Sequence, residues 1–337
     1  MNELEQNILA IIQDAFPLEE RPYLVLADQL GSDEQSVFAA VEGLRKSEII
    51  RRIGGVYDSK KLGFISRLCA GKVPTVATGA ADDNALEKFA AAVNEIPAIT
   101  HNYVRSHEYN VWFTVIAQSE EEIQKIVDEV CSKTELHDVH ILNATKKFKI
   151  NTVMGGAGAL ANRIGDEKRH CEPKAKQSPA HFLSANDRAR IRIACTDIPH
   201  TLTPFKDWSV SCDELRDDIA QKRMRRFGAI LRHQEAGFAY NAMVCFAKTV
   251  DSRQWSVDRN SVNPAGAILA SKRYISHCYE RPSFEGFPYT LYAMMHAQSA
   301  EELDRNIKEA AESIGNPDYV VLHSVRELKK TSFRFFA

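Results

Sequence analysis

Several features by which protein classes are recognised are missing from this sequence of 337 residues. No uncharged run approaches the ~18 apolar residues that a membrane span requires. The cysteines number seven, which is odd, and no two of them are spaced as Cys-x-x-Cys, so neither a disulfide framework nor a zinc ribbon is indicated. The opening Met-Asn-Glu-Leu-Glu has neither the basic region nor the apolar stretch of a secretory signal. These absences predict a cytoplasmic protein with reduced thiols and no membrane partner.

An excess of charge of either sign is also missing. The chain has 43 Lys and Arg against 45 Asp and Glu, a net charge of −2, which gives no general attraction to nucleic acid. It contains neither a P-loop motif nor a Gly-x-Gly-x-x-Gly fingerprint, so no nucleotide cofactor is expected. What is present is an apolar fraction of 44%, which is enough to form buried cores. The length suggests about two or three globular units.

The chain contains an internal duplication. Short motifs of the first half recur in the same order in the second half, which chance does not explain. The pairs are Pro17–Tyr23 with Pro199–Phe205, Arg51–Gly55 with Arg225–Ala229, Gly63–Phe64 with Gly237–Phe238, His101–Arg105 with His277–Arg281, and Ala117–Ser119 with Ala297–Ser299. From Pro22 to Arg51 is 29 residues, whereas from Pro204 to Arg225 is 21, so the second copy is eight residues shorter here. Because eight residues are about two helical turns, we expect a truncated helical region in the second copy.

Each copy divides into two domains. Helical periodicity over residues 3–15 and 32–46, with Gly31 between helices and a hairpin-like segment at 49–57, predicts a winged helix-turn-helix. The elements that follow alternate as βαββαβ, with the last strand of the first copy at 139–150, and this order is ferredoxin-like. The predicted fold is therefore α+β, a tandem duplication of a winged helix-turn-helix plus a ferredoxin-like domain. The boundaries are 1–57 and 58–150 for the first copy, 151–184 for a linker, 185–230 for the truncated helix-turn-helix and 231–337 for the second ferredoxin-like domain.

These motifs resemble those of a known family. A winged helix-turn-helix followed by a βαββαβ domain is similar to the Lrp/AsnC transcription regulators. Several motifs resemble those of one branch of that superfamily, the sirohaem decarboxylases. They are Arg51–Gly55, Arg225–Ala229, the two Gly-Phe pairs, Asn241–Met243, His101–Arg105 and Ser276–Pro282. The resemblance covers nearly the whole chain except the linker. It implies a fusion of two subunits that are usually separate chains and pair with each other.

The resemblance also implies an enzyme, a carboxy-lyase of alternative haem or haem d1 biosynthesis. It would convert two acetate side chains of sirohaem to methyl groups and give 12,18-didecarboxysirohaem. No cofactor is implied, since iron arrives as part of the substrate, and further association into a homo-oligomer is compatible with the fold. Two alternatives remain open: an Lrp/AsnC-type regulator that senses a small molecule with the same fold, and a non-catalytic tetrapyrrole carrier.

The first helix-turn-helix has little of the charge that DNA binding requires. Residues 1–57 contain five basic and ten acidic side chains, and the candidate recognition helix opens with Asp33-Glu34. Neutralisation of phosphates supplies most of the non-specific affinity of a protein for DNA. We therefore expect this domain to serve as a scaffold, without a nucleic-acid partner.

Decarboxylation of an acetate side chain requires a proton donor and cations that hold carboxylates. Histidine, with an ordinary pKa of about 6.5, is suited to the first task, and arginine pairs bidentately with carboxylates. A His-x-Tyr-x-Arg motif lies on a predicted strand of each copy, and alternate residues of a strand share one face. The alternative to a catalytic role is that these residues lie on a sheet face that is exposed to solvent or forms a dimer contact. The predicted catalytic residues are His277, His101 and Tyr279, and the substrate-binding residues on the same strands are Arg281, Arg105 and Tyr103.

Further substrate-binding candidates lie outside these strands. For the arginine pairs at the wings, two roles are open: they bind substrate carboxylates, or they are simply exposed to solvent at the wing. His233 and Asn241 occur in the second copy only; at the corresponding offset the first copy has Ser59 and Arg67. For His233, the alternative is a structural role. No metal site is predicted, because the histidines of His137–His140 would point to opposite faces of a strand. The candidates are Arg51, Arg52, Arg225, Arg226, His233, Asn241 and Met243, the last as a core or ring-contacting residue.

The second copy is the expected site of the chemistry. It contains the motifs of the first copy and adds His233 and Asn241. Its shortened helix-turn-helix would leave space beside the sheet for a flat macrocycle.

Overall fold

Each of the two structural units of the chain is built from both halves of the sequence. The computed structural model describes residues 1–75, 82–134, 136–150, 183–231, 240–248, 264–331 and 333–336. The helix-turn-helix unit comprises the described parts of Met1–Phe64, Val153–Ala236 and Arg334–Ala337. The sheet unit comprises those of Ile65–Thr152 and Gly237–Phe333. The predicted linker lies almost wholly outside the described residues, and the predicted domain boundaries stay a prediction.

The element order is that of an α+β duplication, as predicted. The first copy contains α1 (Glu3–Ile12), α2 (Pro22–Leu30), α3 (Glu34–Lys46), β1 (Ile50–Tyr57), a short 3-10 helix (Ser59–Leu62), β2 (Ile65–Gly71), α4 (Asp83–Glu95), β3 (Ile99–Arg105), β4 (Val111–Ala117), α5 (Glu120–Thr134), β5 (Val139–Leu142) and β6 (Lys146–Ile150). The second contains α6 (Ala185–Ala194), α7 (Cys212–Ala220), β7 (Met224–Leu231), β8 (Tyr240–Ala247), α8 (Pro264–Ser271), β9 (Ile275–Glu280), β10 (Tyr289–Ala297), α9 (Ala300–Ser313) and β11 (Tyr319–Lys330). In the described part of the chain, we find no helix with the length and apolar character needed to cross a bilayer.

Local sequence sets the ends of the helices in the helix-turn-helix unit. Gly31 ends α2 in the left-handed conformation, with φ 62°, which glycine adopts without steric cost. The Asp33 carboxylate accepts a hydrogen bond from the Ser36 backbone amide and caps the start of α3. Between α6 and α7, the described residues 195–211 contain no helix. The second copy therefore has no counterpart of α2, and this is where its sequence is eight residues shorter.

The wings of the two copies pair with each other. Residues 49–57, expected as a hairpin-like segment, contain the single strand β1, which pairs antiparallel with β7 and places Gly54 opposite Gly228. A Cβ atom at Gly54 would lie 2.4 Å from the Thr196 carbonyl oxygen, and one at Gly228 would lie 2.4 Å from that of Ile12. Each wing therefore packs closely on the end of the first helix of the other copy, and glycine permits this approach.

The sheet unit contains one sheet that joins both copies. Within the described residues, its strand order is β5-β2-β4-β3-β11-β8-β10-β9-β6. β11 pairs with β8 over Tyr319–His323 and then with β3 over Ser324–Lys330. Likewise β5 pairs with β2, and β6 pairs with β9. The segment 139–150, expected as one strand, is divided into β5 and β6, because β5 pairs with β2 of its own copy and β6 pairs with β9 of the other. The last strand of each copy, β6 or β11, thus pairs with a strand of the other copy.

The two faces of this sheet have different surroundings. One face of each copy packs on its own helices, α4 and α5 in the first copy and α8 and α9 in the second. The opposite face, called here the inner face, carries a core to which both copies contribute. That inner core consists of Ala70, Tyr109, Trp112, Leu142, Met243, Cys245, Phe287, Tyr292 and Leu322.

Candidate functional site

The His-Tyr-Arg motif of β9 lies on the inner face. Directly opposite residues of neighbouring strands share a face, and Tyr279 lies opposite Tyr292 of the inner core. Cys278, the next residue back along the strand, is packed in the core on the helix side. Alternation then places His277 and Arg281 on the inner face with Tyr279. The motif of β3 is arranged in the same way, with His101 opposite Thr114, Tyr103 opposite Trp112 and Arg105 at the end of the strand.

Each arginine of these motifs donates a hydrogen bond to one of the final strands of the other copy. Arg105 Nη1 donates to the Leu322 carbonyl oxygen at 3.1 Å and to Ser324 Oγ at 2.8 Å, both on β11. Arg281 Nη1 donates to the Leu142 carbonyl oxygen at 2.5 Å, at the end of β5. The arginines are only 5% and 9% exposed. Both therefore connect the copies, a role that the sequence did not predict.

The two buried guanidinium groups lie over tyrosine rings. The Arg105 Cζ is 4.9 Å from the centre of the Tyr103 ring, and the Arg281 Cζ is 5.0 Å from that of Tyr279. Burial lowers the pKa of both arginines. Among the described residues neither makes an ion pair with a carboxylate, so the tyrosine faces, the backbone carbonyls and, for Arg105, the Ser324 hydroxyl stabilise these charges.

The two histidines lie nearer the surface and each bonds a neighbouring hydroxyl. His101 Nδ1 is 2.9 Å from Thr100 Oγ1, and His277 Nδ1 is 2.8 Å from Ser276 Oγ. The His277 ring also stacks on Tyr279, with centroids 6.3 Å apart and planes inclined by 22°. Half-buried imidazoles held through Nδ1 are suited to proton transfer.

A further histidine, which the sequence analysis missed, lies behind His277. Ser276 Oγ is 2.7 Å from His296 Nε2, and His296 Nδ1 contacts Asn241 Oδ1. The predicted binding residue Asn241 is thus linked to His277 through two side chains. The signal that could have found His296 is a histidine within the apolar strand Met294–Ala297.

The first copy does not repeat this arrangement. In the strand register, Ser66 lies opposite Ile116 as Asn241 lies opposite His296. The counterpart of Asn241 is therefore Ser66 rather than Arg67, the residue that the sequence offset gives. Behind His101 the chain of polar groups ends at its hydroxyl neighbour within the described residues.

The strands beside the two tyrosines differ in charge. Lys147 of β6 is the backbone partner of Tyr279, and Glu327 of β11 is that of Tyr103. Both charged residues are exposed. At the histidines the partners are Ile150 and Lys330. Beside the tyrosines, the neighbouring strand thus brings a positive charge in the second copy and a negative charge in the first, which favours an anionic ligand at the second.

Of the second-copy candidates Met243 and His233, only Met243 lies among the described residues. Met243 is 9% exposed in the inner core and lies opposite Met294 of β10, so it is a core residue at the inner face. His233 falls outside the described residues.

The wing arginines belong to the helix-turn-helix unit. Arg52 Nη2 donates to the Gly55 carbonyl oxygen at 3.3 Å, and burial lowers the pKa of Arg52 to about 10. Arg226 Nη1 donates to the Gln13 and Ala229 carbonyl oxygens. Both side chains thus bind backbone at their own wing or at the end of α1. Arg225 is exposed, with its Nε 3.5 Å from Asp58 Oδ2, and Arg51 is half-buried.

The described residues offer no cluster of side chains that could hold a metal ion. In the His137–His140 segment, His140 Nε2 is 2.8 Å from Asp138 Oδ1, and the His140 ring stacks on Phe284 at 4.0 Å. This histidine is thus part of an aromatic contact between the copies.

Two family models match the chain. An AsnC-like ligand binding domain matches residues 61–149 and again 235–329. A siroheme decarboxylase NirDL-like HTH domain matches residues 5–51. The two matches to one model agree with the duplication of the sheet unit.

Known relatives extend over the whole chain. The sirohaem decarboxylase of Hydrogenobacter thermophilus is 31% identical over 349 aligned positions, which cover 100% of this chain and 96% of the relative. The sirohaem decarboxylase alpha subunit of Desulfovibrio desulfuricans is 47% identical, covering 44% of this chain and 82% of the subunit. A crystal structure of the sirohaem decarboxylase NirDL in complex with an iron-uroporphyrin III analogue is 26% identical, with a TM-score of 0.66, and covers 99% of this chain and 95% of that one.

Proposed function

The chain belongs to the sirohaem decarboxylase family, and we propose that it converts two acetate side chains of sirohaem to methyl groups on the inner face of its sheet unit. The product would be 12,18-didecarboxysirohaem, an intermediate of alternative haem or haem d1 biosynthesis. The observation that carries this proposal is similarity along the whole chain to a sirohaem decarboxylase that is itself matched almost completely.

The reaction needs proton transfer at two carbon atoms. Protonation of a pyrrole carbon next to the acetate-bearing position draws electrons into the ring, and the bond to the carboxylate breaks with release of carbon dioxide. The exocyclic methylene that remains takes up a proton to become methyl, and the ring carbon returns its own. Each acetate thus consumes one proton and releases one carbon dioxide. Because the macrocycle accepts the electrons, we propose that no cofactor takes part and that the iron is only a component of the substrate.

We propose His277 as the proton donor in the second copy, with Tyr279 beside it. What supports this choice is the hydrogen-bonded position of the imidazole, the stacked tyrosine and the lysine on the neighbouring strand. His101 and Tyr103 form the corresponding pair of the first copy. For the sirohaem carboxylates, we propose the exposed Lys147 of β6, on the strand beside Tyr279, as a cation with a solvent-facing charge.

The pairing of the two copies within one chain is part of the proposal. The strand exchange between them supports a functional unit that needs no second polypeptide, although homo-oligomers can form in addition. We place the enzyme in the cytoplasm, where the cysteines, all free among the described residues, would stay reduced.

Anaerobic incubation of the purified chain with sirohaem, followed by mass spectrometry of the pigment, tests the proposal. We expect the mass to fall by two carbon dioxide units. An unchanged pigment that stays bound would identify a carrier or a regulator instead, and loss of a single carbon dioxide would contradict the conversion of two acetates. The variant His323→Ala, which removes an exposed histidine of β11, provides a matched control for any histidine variant.

A further inference from the structure

A chain of hydrogen bonds leads from His277 across three neighbouring strands. His277 Nδ1 is 2.8 Å from Ser276 Oγ, which is 2.7 Å from His296 Nε2. His296 Nδ1 in turn contacts Asn241 Oδ1. The four residues lie on β9, β10 and β8, which are adjacent in the sheet. Ser276 and His296 are only 5% and 8% exposed, so water competes little for these bonds.

The chemistry of the groups sets the direction of each bond. The Asn241 carbonyl oxygen can only accept, so His296 Nδ1 carries the hydrogen. In the neutral ring His296 Nε2 then accepts, and the Ser276 hydroxyl donates to it. Another acceptor for that hydroxyl, the Met294 carbonyl oxygen, is 3.5 Å away and therefore much weaker. Ser276 Oγ is left to accept from His277, whose Nδ1 must carry a hydrogen.

We propose that His296 and Ser276 are positioning residues that hold His277 in the form protonated at Nδ1. This inference rests on the proposed function, in which His277 transfers protons to the macrocycle. With Nδ1 fixed as a donor, Nε2 is the atom that gains and loses the proton of the reaction. His277 keeps its bond to Ser276 in both charge states, so the ring does not have to turn between the two proton transfers. The arrangement follows the general rule that a catalytic histidine is oriented by the partner of its other nitrogen.

The first copy provides an internal comparison. His101 keeps a hydroxyl neighbour, Thr100, at 2.9 Å. The position of His296 is occupied by Ile116 and that of Asn241 by Ser66. Among the described residues, no second imidazole fixes the direction of the Thr100 hydroxyl, so the positioning device belongs to the second copy.

Four variants of the full chain test this role in the decarboxylation of sirohaem. His296→Ile installs the first-copy residue, and Ser276→Ala removes the hydroxyl. We expect each to lower kcat by about 10–100-fold with little change in KM, since both side chains are almost fully buried and act through His277. His296→Gln, whose amide can both donate to Asn241 and accept from Ser276, should retain most of kcat. So should Ser276→Thr, which reproduces Thr100.

The first-copy comparison is Thr100→Ala, which should lower kcat less than Ser276→Ala does. An equal loss in Thr100→Ala would mean that a hydroxyl beside either histidine only supports the strand, and would overturn the proposal. An unchanged kcat in His296→Ile, or a loss in His296→Gln as large as that in His296→Ile, would also overturn it.

A spectroscopic readout separates this inference from the proposed function. In the nitrogen-15 NMR spectrum of the histidine-labelled protein, the His277 signals are those that disappear in His277→Ala. We expect the Nδ1-protonated form in the wild type and a shift towards the Nε2-protonated form in His296→Ile. The same form in both proteins would contradict the inference even if sirohaem is decarboxylated. A wild-type chain that releases no carbon dioxide would contradict the proposed function alone.

Discussion

At the scale of single residues, the two copies differ most behind their histidines. Recurrence in the sequence identified His101 and His277, because each stands at the same place in a repeated motif. It could not identify His296, since a search for repeats passes over a residue whose counterpart is Ile116. It also gave no sign that Arg105 and Arg281 connect the copies, because the carbonyl groups they bind belong to segments far away in the sequence.

We expect His277→Ala to nearly abolish decarboxylation and His101→Ala to leave a measurable fraction. General acid catalysis typically contributes about 10²–10⁴-fold, so the rate constant for carbon dioxide release should fall by that order in His277→Ala. Single-turnover assays of the purified variants measure it, with His323→Ala as the control. An inactive His101→Ala beside an active His277→Ala would show that the first copy does the chemistry.

We expect Arg281→Leu to destabilise the fold by about 1–3 kcal/mol, because it leaves the buried Leu142 carbonyl oxygen without its donor. Arg188 is exposed, so Arg188→Leu should change stability by no more than about 0.5 kcal/mol. Denaturant titration of both variants measures the difference. If Arg281→Leu is as stable as Arg188→Leu but binds sirohaem much more weakly, Arg281 is a carboxylate clamp as the sequence predicts, and not a connection between strands.

At the scale of helices and strands, the sequence located the elements better than their partners. Periodicity indicates which face of a strand is buried, and capping residues such as Gly31 indicate where a helix ends. Neither says which strand lies alongside. For this reason residues 49–57 and 139–150 were expected as a hairpin-like segment and a single strand, whereas both pair with the other copy.

The close packing of β7 on the end of α1 predicts a sharp penalty for any side chain at Gly228. Its Cβ would lie 2.4 Å from the Ile12 carbonyl oxygen, so we expect Gly228→Ala to cost about 1–3 kcal/mol of unfolding free energy. At Gly43, on the exposed side of α3, an added Cβ would have no neighbouring atom within 4 Å, and Gly43→Ala should stabilise by about 0.5–1 kcal/mol. Thermal or denaturant unfolding compares the two. Equal stability of both variants would mean that β7 can move away from α1.

The candidate recognition helix α3 predicts weak or absent DNA binding. Its first turn is acidic, and Glu34 pairs with Arg21, which reduces the positive charge available to phosphates. Titration of the chain into duplex DNA at low and moderate salt measures this. A sequence-specific, salt-sensitive shift at submicromolar protein would contradict it and favour a regulator.

At the scale of the whole chain, the duplication was readable from the sequence, whereas the exchange of strands was not. Each copy contains every element of a ferredoxin-like domain, so its sequence does not reveal that its last strand is shared. In the sheet unit, β11 extends along β3 and β6 extends along β9. Both His-Tyr-Arg strands are therefore flanked by a strand of the other copy.

Cleavage of the chain between the copies should leave them together. With a protease site inserted within residues 151–182, we expect the two halves to co-elute in size-exclusion chromatography after cutting, because the β1–β7 and β3–β11 ladders and the inner core join them. Separation of the halves in denaturant shows that cutting was complete. Separate elution in native buffer would mean that these contacts do not hold the copies without the covalent link.

Because the two copies share strands and belong to one chain, their pairing does not depend on protein concentration. Two separate subunits associate by mass action, so the fraction that is paired falls on dilution. Within one polypeptide the same pairing is unimolecular, its stoichiometry is fixed at one to one, and dilution does not affect it. Since each His-Tyr-Arg strand needs a neighbour from the other copy, the specific activity of the fused chain should stay constant at concentrations where separate subunits would part.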